Sequence, residues 1–222
     1  AVEVGGALEK ADPRLVETAP ALIEQLPELA ACDAAALAGE TPPPATPVVH
    51  TIEGALADLE GDTLHGMSLD ATRARLPIAQ LWAQAATTLG WAPLIARAHR
   101  DVALLEEDLG KGKEARQALL AAMAAAQGDD LAQIELDLLD DEGRITSDWA
   151  LADSWAKLAE GTLARLGDRP SSRVELARRH GHALERAGHP DAARRLLAAG
   201  LPIARTLGQL ADVGLLGELG LA

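Results

Sequence analysis

The chain has 222 residues, 48% of them hydrophobic and 24% charged, with a formal net charge of −14. This balance excludes a disordered chain, and the excess of acid sets the protein as a whole against a phosphate backbone, so nucleic acid is not an expected partner. The apolar content is almost all Ala and Leu, with no Phe, Tyr or Asn and four Trp; the best helix formers abound and strand formers are scarce, which implies an all-α fold.

Residues 1–31 predict one or two helices interrupted at Pro13, Pro20 and Pro27. TPPPATP (41–47) predicts a stiff, extended linker, so 1–47 is an N-terminal helical segment closed by a Pro-rich connection. Its Cys32 is the single cysteine of the chain. Alone it makes neither an internal disulfide nor a thiolate metal site, and with no basic neighbour it is expected as a small buried residue. One cysteine favours a reducing, cytoplasmic setting, with a disulfide-free exported protein left open. The chain opens on Ala1 without a charged-then-apolar leader and is expected to be a piece of a longer protein, so a membrane-anchored parent also stays open.

From residue 48 to 208 the pattern becomes periodic. AQAATTLG (83–90), AAMAAAQG (121–128), EGTLARLG (160–167) and LPIARTLG (201–208) each end an alanine-rich run in glycine, at spacings of 38, 39 and 41 residues. A second series matches ALLEEDLGKGKEA (103–115) with GHALERAGHPDAA (181–193), 78 residues apart. Together they predict helical hairpins of about 39 residues, each helix closed by a glycine suited to a left-handed C-cap. The hairpins fall at 48–64 with 69–89, 94–127, 131–166 and 173–207. Small residues on facing sides let helix axes approach, and a hairpin that cannot bury its apolar stripe alone must share a core with its neighbours. Residues 209–222 begin a further repeat or form a closing helix. No apolar run along the chain is long enough to cross a bilayer.

The small residues at 103, 110 and 115, and again at 181, 188 and 193, resemble the tetratricopeptide repeat in a long form. The order LPELAACDAAAL (26–37), PPP (42–44), IAQLWAQAATTLGWAPLIARA (78–98), GKGKEA (110–115) and DWALADSWAKLAEGTLARLG (148–167) resembles the C-terminal repeat region of myxobacterial-type serine/threonine protein kinases. The resemblance covers residues 26–208. It implies a right-handed α-α superhelix that serves as a sensing or docking region and not as the catalytic part. Gly112 and Pro190 stand where that repeat usually carries an aromatic, so packing there is expected to be shallower.

The tripeptide HRD (99–101) matches a kinase catalytic loop, but the Asn such a loop needs five residues on is Glu106 here, and DLG (108–110) comes too early for a metal-binding triplet. It is expected to be ordinary helix. His180 and His182, two apart, point about 200° from one another on a helix and cannot share a metal; His50, His65 and His189 are isolated. DLLDDE (137–142) lacks the alternating oxygen ligands of a calcium loop and is expected as a solvated helix end. No cofactor and no metal is expected.

Residues 165–205 hold nine Arg against four acids, net +5 in a chain that is −19 elsewhere. Two readings stand: a solvated face with local ion pairs, or a docking face for an acidic or phosphorylated peptide built from Arg173, Arg178, Arg179, Arg186, Arg194 and Arg195. Trp82, Trp149 and Trp155 are candidate groove aromatics, against the alternative of core anchors. The expected role is protein or peptide binding without catalysis, by a rigid groove that loses little entropy on docking. The alternative is a repeat domain of a signalling or transcription regulator that binds a small effector between hairpins. Self-association stays open.

Overall fold

The computed structural model describes Pro44 and residues 47–64, 68–143 and 148–207, all within one unit of the chain. The N-terminal helical segment, most of the Pro-rich linker, Cys32, His65, Gly208 and the tail from 209 lie outside these residues. Among the described residues every regular element is a helix: α1 Pro47–Leu64, α2 Leu69–Leu89, α3 Ala92–Asp108, α4 Gly112–Ala125, α5 Gly128–Asp141, α6 Trp149–Arg165, α7 Pro170–Arg186 and α8 Pro190–Leu207.

Local chemistry sets these boundaries. The Ser68 side chain accepts the Ala71 N–H at 3.3 Å, capping α2, and Asp70 in its first turn pairs with Arg73. Asp148 caps α6 in the same way, accepting from the Leu151 N–H at 3.1 Å. At the other end of α2, Gly90 adopts φ +78° and its N–H reaches the Ala86 carbonyl. Gly110, Gly167 and Gly188 also have positive φ, and each is followed by an N–H that reaches back five residues: Lys111 to Glu106, Asp168 to Leu163 and His189 to Leu184. That closure satisfies carbonyls at the end of α3, α6 and α7 and needs a residue that is comfortable in the left-handed region. Gly128 behaves differently. Helix α4 stops at Ala125, Ala126 is extended, and Gly128, with φ +55°, opens α5 instead of closing α4.

The helices pack as two rows. Each of α2, α4 and α6 lies against the helix before it and the helix after it, α8 lies against α7, and successive odd helices touch one another from α1 through α7. The even helices do this with small residues at helical spacing: Ala79, Ala83 and Ala86 on α2, Ala115, Ala118 and Ala122 on α4, and Ala152, Ala156 and Ala159 on α6. Larger side chains fill the flanks, with Ile52, Leu56, Leu94, Leu105, Leu119, Ile134 and Leu138 essentially inaccessible. One cluster runs from α1 to α5, a second joins α5, α6 and α7, and a third joins α7 to α8.

Helix α5 is the hinge of this arrangement. Residues 134–139 are all buried, because Ile134 and Leu138 face the first cluster while Leu136 and Leu139 face the second. The expectation of a solvated end at DLLDDE is therefore overturned: Asp137, Asp141 and Glu142 are buried. Past its exposed first turn, where Asp129 and Asp130 lie, this helix is clad on both sides and leaves no free face for the charges that follow.

Two glycines separate close packing from chain flexibility. A Cβ on Gly181 of α7 would stand 2.7 Å from Leu197 Cγ of α8, whereas one on Gly54 of α1 would meet nothing within 4 Å. Gly181→Ala is expected to cost about 1–3 kcal/mol through overpacking, and Gly54→Ala to gain about 0.5–1 kcal/mol through helix propensity. Urea unfolding of the two variants should move in opposite directions from the parent.

Candidate binding face on the odd helices

The buried carboxylates of α5 must find partners, and those partners come from other helices. Asp137 Oδ2 accepts from Arg100 Nε of α3 at 2.5 Å, while its Oδ1 accepts from Arg179 Nη1 of α7 at 2.7 Å and from Gln133 Nε2 at 3.0 Å. Arg179 Nε also donates to Glu175 Oε1 at 2.5 Å, and Glu175 takes both Nε and Nη2 of Arg178. One ladder of charge thus crosses α3, α5 and α7. Burial would push the Glu175 carboxyl up, but the hydrogen bonds from Arg178 and Arg179 and their positive charges outweigh it and hold the group at about 2. Arg179 is pushed above its ordinary range because Asp137 and Glu175 outweigh its own desolvation.

Other buried acids have weaker compensation. Glu135 is buried on the far side of α5 and is bonded to the Thr162 hydroxyl, which in turn accepts from Arg165 Nη2 at 2.9 Å. Desolvation dominates there and raises the Glu135 pKa. Glu106 is also raised by burial, against the hydrogen bond from Gln80 Nε2 at 3.2 Å. Glu142 pairs with Arg116 Nη2 at 2.5 Å.

Beside the ladder lies an open cavity of about 340 Å³ between α1, α3 and α5. Trp91 and Ile134 contribute apolar wall, and Glu53, Arg97, Arg100 and Asp130 contribute charge. Two further features are an open cavity of about 590 Å³ where α2 meets the α3–α4 turn, and a shallower one of about 340 Å³ beside His99 and Thr87.

The residues singled out from sequence are dispersed. Arg178 and Arg179 belong to the internal ladder, and the Arg179 side chain is only 16% exposed. Arg173 is held bidentately by Asp168. Arg186, Arg194 and Arg195 are exposed on α7 and α8, with Arg194 3.6 Å from Asp191. Trp82 and Trp155 pack against the core, whereas Trp149 is 49% exposed and meets His189 edge to face at 5.1 Å. His180 is half-buried with Nε2 3.3 Å from Asp153, and burial lowers its pKa.

The HRD triplet is mid-helix in α3, and its side chains go three ways. His99 meets the Thr87 hydroxyl at 3.2 Å, Arg100 joins the ladder, and Asp101 is buried. Sequence reasoning passed over Arg97, Arg100 and Trp91 as site residues. The signal present was an Arg pair three apart on one helix face, beginning six residues past an aromatic that follows a left-handed glycine.

No protein-family model, no curated protein and no solved structure matches the chain. Among the described residues, no helix is long and apolar enough to cross a membrane.

Removing Asp137 leaves two guanidiniums without their shared acceptor. Asp137→Ala is expected to cost about 3 kcal/mol or more, against less than about 0.5 kcal/mol for the exposed Arg194→Ala, as measured by denaturant unfolding. The depressed Glu175 pKa stabilises the fold above its ordinary value of 4.5, and that contribution is lost as pH falls toward about 2. Glu175→Gln should therefore flatten the loss of stability across this acid window. Glu135 runs the other way. Its raised pKa costs nothing below the ordinary value of 4.5, and the penalty grows as the pH rises above it, reaching its full size past the folded-state value. Glu135→Gln should raise Tm at neutral pH, and the gain should disappear near pH 4.

Proposed function

We propose that the chain is a non-catalytic protein- or peptide-binding module of tetratricopeptide type, a right-handed array of helical hairpins that acts as the regulatory or sensing region of a bacterial serine/threonine protein kinase. The observation that carries the binding reading is the ladder Arg100–Asp137–Arg179–Glu175 across α3, α5 and α7. It holds charged side chains of three successive odd helices in one geometry before any partner arrives, so little rotamer entropy remains to be lost on docking. The two-row packing supports the hairpin-array reading, because successive odd helices lie side by side with the even helices packed between them in sequence. The kinase attachment rests on the order of sequence segments alone.

Recognition on this face is polar and positional, with affinity from a few anchored contacts. An enclosed effector would call for a closed apolar cavity. The cavities between α1, α3 and α5 and at the α3–α4 turn open to solvent and mix charged with apolar walls, and the mainly apolar one beside His99 is shallow and open, which favours a segment of another protein.

The reading is tested by partner capture with two variants of the full chain. Asp137→Asn keeps the shape of the ladder but removes its shared charge, and is expected to weaken capture at least about tenfold. A combined Arg186→Glu, Arg194→Glu and Arg195→Glu variant, with all three changes at exposed positions of α7 and α8, should retain capture. Loss in the triple variant with retention in Asp137→Asn would move the binding face to the exposed arginines.

A further inference from the structure

We propose that the cavity between α1, α3 and α5 is a subsite for one side-chain carboxylate of a partner peptide, received on the outer edge of the Arg100 guanidinium, with the adjoining apolar side chain of that peptide lying against Trp91 and Ile134. This inference rests on the peptide-binding reading and names the chemistry that its face selects.

Arg100 carries the inference because its charge is only partly used. It gives Nε to Asp137, and among the described residues no protein group takes its two terminal Nη groups. Asp137 divides one negative charge between Arg100 and Arg179, and Arg179 draws on Glu175 as well. Within the ladder, Arg100 therefore shares its single carboxylate, whereas Arg179 has a second one in Glu175. Arg100 is also fixed: its side chain is 28% exposed, its Nε is anchored at 2.5 Å, and the residue lines the cavity. A planar fork held by one nitrogen presents the parallel N–H pair that a carboxylate matches. The cavity spans the first turns of α3 and α5, whose amino ends add positive potential.

The remaining walls limit what the anion can be. Glu53 and Asp130 also line the cavity. A dianionic phosphate would bring two charges toward those carboxylates, and a run of acids would meet a chain of formal charge −14. A single Asp or Glu next to an apolar residue, in otherwise uncharged surroundings, fits these walls: the carboxylate on Arg100 and the apolar group on Trp91 and Ile134. At about 340 Å³ the space suits one or two side chains and no more.

The test uses the full chain and pools of short synthetic peptides, acetylated and amidated at their ends. The central position is Glu, Asp, Gln, Lys or phosphoserine, and the neighbours are mixed. Retained peptides are expected to carry central Glu or Asp beside an aliphatic residue, and Glu→Gln in the best of them should weaken binding about tenfold. Arg100→Lys keeps the charge beside Asp137 but loses the fork, and should bring the Glu-to-Gln ratio near one. Because Arg100 also supports the fold, Pro93→Glu supplies a second variant. It places a carboxylate at the cavity wall in the first turn of α3, where helices accept acid, and leaves the ladder untouched. It should abolish the preference with the circular dichroism spectrum and Tm preserved.

Survival of the Glu-to-Gln preference in both variants overturns the subsite, as does selection of phosphoserine or Lys at the centre. Peptides that bind with no central preference overturn the subsite alone and leave peptide binding standing. Retention of no peptide from any pool overturns both. A retained peptide that binds only when its C-terminal amide is replaced by a free acid would assign the Arg100 edge to a chain terminus, against the side-chain carboxylate proposed.

Discussion

The structure depends on one packing constraint: alanine is the contact residue through which neighbouring helices meet. Ala79, Ala83 and Ala86, and their counterparts on α4 and α6, give each even helix a narrow, smooth stripe. A methyl group buries little area, so one such contact stabilises weakly compared with the burial of a leucine. Stability has to come from many close contacts in series, each helix touching a neighbour on both sides. Gly181 takes the principle to its limit, with Leu197 of the next helix occupying the space where a side chain would begin. Such a stack couples each helix pair to the next.

The enclosed position of α5 follows from this, and the electrostatics follow from α5. A helix that serves two apolar clusters at once has no solvent face on which to keep Glu135 and Asp137. Asp137 is compensated by guanidiniums from the helices on either side along the odd row, α3 and α7. Glu135 has burial outweighing the Thr162 hydroxyl and the Arg165 charge, and remains raised. The two carboxylates are two residues apart on one helix, so they face different neighbours and meet different fates. The ion ladder is thus a consequence of packing, and it also ties α3 to α7 through a residue of neither helix.

The same logic explains why HRD in this chain behaves unlike the kinase triplet it matches. On a catalytic loop the three residues have roles set by irregular backbone. On α3 they are successive positions about 100° apart, so His99 faces α2, Arg100 joins the ladder to α5, and Asp101 is buried. Sequence identity over three residues says little when the backbone that displays them is different.

The sequence by itself determined the helical class and the glycine closures of several helices, because these depend on neighbours a few residues away. Ala and Leu content and glycines at 90, 110, 167 and 188 are local signals, and each acts locally in the fold; the Ser68 and Asp148 caps are equally local but came from the structure. Gly128 shows the edge of that legibility: its left-handed backbone was readable, but whether it closes α4 or opens α5 was not. Tertiary structure alone decided which charges face water. Asp137 looks from its neighbours like part of a solvated acidic end, and Arg178 and Arg179 look like part of a basic docking face. They meet because α5 and α7 are adjacent in space, with Asp137 and Arg179 separated by 42 positions in the chain. Arg100 was obscured for the same reason, since the open edge of its guanidinium depends on where α1 and α5 stand beside α3. A helix periodicity fixes direction around its own axis, and only packing fixes what lies in that direction.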